Sequence, residues 1–144
     1  MSIFKRVALP VVAVAALGLA LPAHAKGVRF ECRDQLARQD VSAKAKFERD
    51  GARRKFTVEV EAALRSSFRA GDILKVRVED AKGTLRVVGQ IRLVRGVRDL
   101  VGKLDLDTVR EPGSRPFPAS FPAVVGAGTE VQVGAQLACA LQRR

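Results

Sequence analysis

From Val28 onward the chain alternates apolar and polar residues with a period of two, and this constrains its fold more than any other feature. A strand sends successive side chains to opposite faces, so such a pattern describes sheets buried on one side only. Val28, Phe30 and Cys32 share a face, as do Val41, Ala43, Ala45 and Phe47, and then Phe56, Val58, Val60 and Ala62. Leu74, Val76 and Val78 follow, then Leu85 and Val87, and after a break at Val88-Gly89, read as a bulge, Ile91 and Leu93. Leu104 and Leu106 come next, and a last run carries Val131, Val133, Ala135, Leu137, Cys139 and Leu141. The pattern predicts about seven strands and no helix of useful length.

Pairing must set inward residues against inward residues, which tests each turn. A four-residue loop from Asp50 to Arg53 pairs Phe47 with Phe56, Ala45 with Val58 and Ala43 with Val60. It also places Glu48 opposite Lys55 and Lys44 opposite Glu59 on the outer face, where opposite charges stabilise the hairpin. The same rule at Asp80–Gly83 pairs Val78 with Leu85 and Val76 with Val87, and sets Arg77 against Arg86. A third hairpin, from about 90 to 107 if Leu93 faces Leu104, brings Arg92 near Asp105. Between Arg110 and Pro122 four prolines and two phenylalanines replace the alternation, predicting a long connection whose Phe117 and Phe121 cap the core.

Short antiparallel hairpins and one late connection predict an all-β fold, an antiparallel β-sandwich that is immunoglobulin-like by analogy, with a small β-barrel as the alternative. The core tryptophan of true immunoglobulin domains is absent. Residues 26–144 read as a single domain.

The first 25 residues read as a cleavable secretory signal. Lys5 and Arg6 form a positive start, an apolar run extends from Val7 to Leu21, and Ala23-His24-Ala25 supplies small residues before the cut. The run is about 15 residues and a spanning helix needs about 20, so a signal is expected rather than an anchor. After Lys26 no apolar segment of spanning length occurs, and no transmembrane segment is expected after cleavage. The expected location is the periplasm or the medium. Removing Lys5 and Arg6 with the leader leaves 24 Lys and Arg against 15 Asp and Glu, a net charge of +9 in place of +11.

Cys32 and Cys139 are then the only cysteines, and an even pair in an exported chain predicts a disulfide between the first and last strands. The only histidine, His24, lies in the leader. Without it the exported part holds no Ser-His-Asp arrangement and no imidazole acid or base, and no enzyme activity is expected. Ser42 and Lys44 share a face, but Lys44 is assigned to Glu59. Asp105 and Asp107 also share a face, and are weak candidates for a hard cation or for a carboxylate-dependent hydrolase. No cofactor is expected.

The excess of cations is the better lead. Lys75, Arg77, Arg86 and Arg92 are expected to point outward on neighbouring strands and to form an anion-binding face. Export and the lack of Trp and Tyr for stacking argue against nucleic acid. The expected partner is an anionic envelope lipid or polysaccharide. The alternative is a subunit of a surface assembly that pairs with other proteins through an exposed edge strand.

Overall fold

The computed structural model describes residues 27–144; the leader, residues 1–25, and Lys26 lie outside the described residues. Ten strands form two antiparallel sheets, with no helix among the described residues. They are β1 (Val28–Leu36), β2 (Val41–Asp50), β3 (Arg53–Ala63), β4 (Ile73–Glu79), β5 (Leu85–Arg92), β6 (Val94–Arg95), β7 (Asp99–Asp107), β8 (Glu130–Val133), β9 (Leu137–Ala140) and β10 (Gln142–Arg143). One sheet has the order β10-β1-β2-β3-β7-β6 and the other β5-β4-β8-β9. The two-sheet sandwich is therefore the one the alternation predicts. Its strand order is its own: β1, β2 and β3 run as a meander in one sheet, where an immunoglobulin domain sends its third strand to the opposite sheet.

The inner faces meet in one apolar cluster that includes Val41, Ala43, Ala45 and Phe47 of β2 and Phe56, Val58, Val60 and Ala62 of β3. The β2–β3 register is the expected one, with Phe47 opposite Phe56 and Lys44 opposite Glu59. The Glu59 carboxylate, however, lies 4.0 Å from Lys103 on β7, its neighbour on the other side. Phe121 caps the core from the proline-rich connection, against Phe47, Phe56 and Phe117.

The β4–β5 hairpin departs from expectation by one residue. Glu79 lies opposite Leu85, Val78 opposite Arg86 and Arg77 opposite Val87, so Arg77 and Arg86 do not face each other. The cause is Asp80, whose Oδ1 accepts hydrogen bonds from the amides of Lys82 and Thr84 at 2.9 Å and draws Thr84 into the loop. Val87 consequently lies outside. The bulge expected near Val88-Gly89 then restores the phase: Val88 is buried, and Val76 pairs with Gly89.

The last apolar run is a hairpin rather than one strand. Val133 pairs with Leu137 across Gly134, which takes a left-handed φ of 60°, and Ala135 is exposed in the turn. Because the turn takes up three residues, odd-numbered side chains point inward on both arms and the alternation reads through it.

Two corners carry the chain from the four-stranded sheet into the six-stranded one. At the first, fully buried Leu93 joins β5 to β6; its carbonyl accepts from the Gly71 amide at 2.7 Å and its amide donates to the Asp72 carbonyl at 2.9 Å. At the second, fully buried Leu141 joins β9 to β10, with the Gly128 amide at 2.7 Å and the Thr129 carbonyl at 2.9 Å. Gly71 and Gly128 both have positive φ, 91° and 84°, which suits glycine in each clamping turn. The expected pairing of Leu93 with Leu104 is replaced by Val94 opposite Val101, because Leu93 is spent on the corner.

The disulfide joins Cys32 on β1 to Cys139 on β9 and so links the two sheets, with a Cα–Cα distance of 5.7 Å. It reaches the penultimate strand; the last, β10, pairs directly with β1. Beside it the Asp34 carboxylate accepts from the Ala138 amide at 3.0 Å, a second tie between the same strands.

Candidate functional site

Where β5 turns toward β6 it passes close over β7. Gly102 makes room for this: a Cβ there would lie 2.3 Å from the Ile91 Cγ2 and 3.1 Å from the Arg92 carbonyl. Gly89 does the same from the other side, since its Cβ would meet a Leu104 methyl at 2.8 Å. The free edge of β7 is thereby divided. β6 pairs with Leu100 and Val101, and Arg115 bridges Leu106, while Gly102–Leu104 have no strand partner on that side.

A cleft of about 350 Å³ occupies this gap. Arg92 and Gln90 enter from β5, Lys103 and Asp105 from β7, and Arg115 from the connection, with Ile73 and Leu104 as apolar wall. Three cations and one carboxylate thus face one concavity. A second hollow of about 290 Å³ lies on the outer face of the six-stranded sheet, but there Arg33 and Arg98 are balanced by Asp40, Glu61 and Asp99. In the cleft three cations meet one carboxylate, with Lys103 within 4.0 Å of both Asp105 and Glu59 while Arg92 and Arg115 have no acid that near among the described residues.

The two acids of β7 share a face as expected, yet they do different things. The Asp107 side chain is fully buried, with Arg53 donating at 3.3 Å and 2.7 Å and the Val109 amide at 2.9 Å. Arg53 also grips Glu111 at 2.6 Å, so this cluster ties the start of the proline-rich connection to β3. Asp105 has no such donors. Its Oδ1 is buried without a hydrogen-bond partner, and its Oδ2 has only the ammonium groups of Lys55 and Lys103 at 3.8 Å and 3.9 Å. Arg92 shares the cleft with Asp105 but makes no ion pair with it. Neither acid belongs to a metal-holding group, since no cluster of three or more such ligands occurs among the described residues.

Hydrogen bonding from Arg53 is the largest influence on Asp107 and holds its carboxyl below the ordinary Asp range, against the opposing effect of burial. A pKa depressed in the fold contributes stability that is fully present above the unfolded value of about 3.9 and is lost as pH falls toward the folded one. In Arg53→Gln the folded carboxyl moves up toward the unfolded value and this contribution shrinks, so the variant should be less stable at pH 7 and lose less of its stability than the parent as the pH falls. Thermal midpoints measured from pH 7 down to pH 2 test this, and superimposable profiles would count against it.

Of the basic residues singled out in the sequence, only Arg92 lines the cleft. Lys75 and Arg77 lie on the open face of the four-stranded sheet with no acid within 4.0 Å among the described residues, and Lys75 is opposite Gln90 of the cleft. Arg86 is held by Asp80, its Nε donating at 2.9 Å, and that bond is the main reason the Asp80 carboxyl sits below its usual range. Arg86 is thus paired and does not line the cleft. The other cations that line it are Lys103 and Arg115, which sequence reasoning passed over. Gly102, on the strand face of Leu100 and Leu104, and Pro112-Gly113 ahead of Arg115 were the signals of a close crossing and a returning loop.

No protein-family model, no curated protein and no solved structure matches this chain.

Proposed function

We propose that this is an exported, noncatalytic β-sandwich protein that binds an anionic component of the cell envelope, a glycan or a lipid headgroup, in the cleft at the first corner. The convergence of Arg92, Lys103 and Arg115 on one concavity carries the reading. Arg92 and Arg115 have no acid within 4.0 Å among the described residues, and two unpaired guanidinium groups on one concavity with Lys103 beside them favour an anion in their midst; Lys75 and Arg77 extend the positive potential over the neighbouring face. Export rests on the sequence of residues 1–25, and the Cys32–Cys139 disulfide is compatible with an oxidising extracytoplasmic compartment. The cleft wall holds one carboxylate, while two-carboxylate hydrolysis uses a pair; Asp107, the neighbouring acid, is occupied by Arg53.

Binding of polygalacturonate and of phosphatidylglycerol vesicles tests the proposal. At least one should bind, and the affinity should fall by about tenfold or more as salt rises well beyond physiological strength, because the Debye length shrinks from about 8 Å to about 3 Å at 1 M. Arg92→Glu should abolish most of that binding. Binding that ignores salt, or that survives Arg92→Glu unchanged, would overturn the assignment.

A further inference from the structure

The wall of the cleft contains a group that a simple anion site would not keep. Asp105 repels any anion placed among Arg92, Lys103 and Arg115, and nothing in the protein donates a hydrogen bond to it. Asp107, two residues along the same face, receives three. The same strand thus carries one saturated carboxylate and one whose acceptor capacity is unused. Oδ1 is the buried oxygen, so Oδ2, which has only the ammonium groups of Lys55 and Lys103 at 3.8 Å and 3.9 Å, is the one left for a ligand. A carboxylate in that position is suited to a ligand that brings its own donors.

The cations restrict the ligand further. Arg92, Lys103 and Arg115 come from three different segments and surround the concavity, whereas a planar carboxylate is served by one bidentate arginine. Three separate donors suit a tetrahedral group with three terminal oxygens. Gln90 adds an amide that can donate and accept in the same cleft, and half-exposed Ile73 offers apolar surface for a ring's C–H face.

We infer that the cleft takes a phosphorylated sugar, with the phosphate among Arg92, Lys103 and Arg115 and a ring hydroxyl donating to Asp105. This rests on the anion-binding reading above and names the class of ligand for it. The phosphate fixes the position, and the hydroxyl supplies the discrimination against phosphate alone.

Isothermal titration of the purified protein with inorganic phosphate, glucose 6-phosphate and glucose tests it, with phosphatidylglycerol vesicles as a separate arm. Glucose 6-phosphate should bind about tenfold more tightly than inorganic phosphate, the range expected of one hydrogen bond to a charged acceptor. Glucose alone should not bind measurably. Asp105→Asn should weaken glucose 6-phosphate by about tenfold while strengthening inorganic phosphate, because it removes both the acceptor's charge and the repulsion. Arg115→Gln, a change at an exposed side chain that leaves the cleft wall standing, should weaken both phosphates alike. If the two phosphates bind equally and Asp105→Asn treats them alike, the sugar assignment fails while anion binding stands. Binding of vesicles without binding of glucose 6-phosphate overturns the sugar in favour of a lipid headgroup. If no phosphate and no vesicle binds, and polygalacturonate binding is absent as well, both readings fall.

Discussion

Replacing Cys32 and Cys139 together by alanine should lower the unfolding free energy by about 2–5 kcal/mol, the range for native disulfides in small exported domains. The bond spans 107 residues, and closing a loop of that length removes so much freedom from the unfolded chain that theory alone gives about 4.7 kcal/mol. For a domain of this size the thermal midpoint should fall by roughly 8–20 °C. The location of the bond adds a structural reason. β1 and β9 lie in different sheets, and beside the sulfurs the Asp34 carboxylate accepting from the Ala138 amide is the one hydrogen bond between them among the described residues. Calorimetry of the double variant, with thiol labelling of the native parent showing no free sulfhydryl, measures the effect. A variant melting within about 2 °C of the parent would mean that the corners alone hold the sheets.

Phe121→Ala should be of similar size, a loss of about 3–5 kcal/mol in denaturant unfolding. The ring sits 6.1 Å from Phe47 and 5.3 Å from Phe56, with Phe117 edge-on at 4.7 Å, so truncation opens a cavity between the connection and both strands of the β2–β3 hairpin. Phe117→Ala should cost less. That ring is half-buried and serves as a lid, with the Arg54 guanidinium 4.7 Å above it. Phe121→Leu should recover a good part of the loss because most of the volume is kept. A Phe121→Ala protein within about 1 kcal/mol of the parent would show that the connection rests on the core without being part of it.

The β2–β3 hairpin was legible because two independent patterns agree there: apolar residues match on one face and opposite charges on the other. Elsewhere a single pattern stood alone. At β4–β5 the loop length was set by the Asp80 carboxylate catching two amides, a local competition that alternation does not record. At β8–β9 the turn preserved parity, so a hairpin looked like a strand; Gly134 was the only visible mark. The cleft was less legible still. Arg92 is exposed on an outward position and could be named, but Lys103 and Arg115 join it only because β5 crosses β7 and the connection returns to Leu106. Such encounters depend on where a chain changes sheets. Leu93 and Leu141 read as ordinary inward residues, and nothing in their spacing distinguishes a strand interior from a corner.

Those corners bear on how a ligand would be received. Arg92 precedes Leu93 directly, and the walls of the cleft belong to opposite sheets, so its width depends on how the sheets sit on each other. The Gly71 and Gly128 amides pin one corner each, and the disulfide adds a third point of attachment. Sheets fastened at three places resist sliding. The cleft should therefore keep its width whether or not a ligand is bound, with the ordering of its walls completed when the chain folds. A site built this way would work by preorganisation: a ligand would meet little conformational penalty, and no rare open state would have to be populated before it could enter.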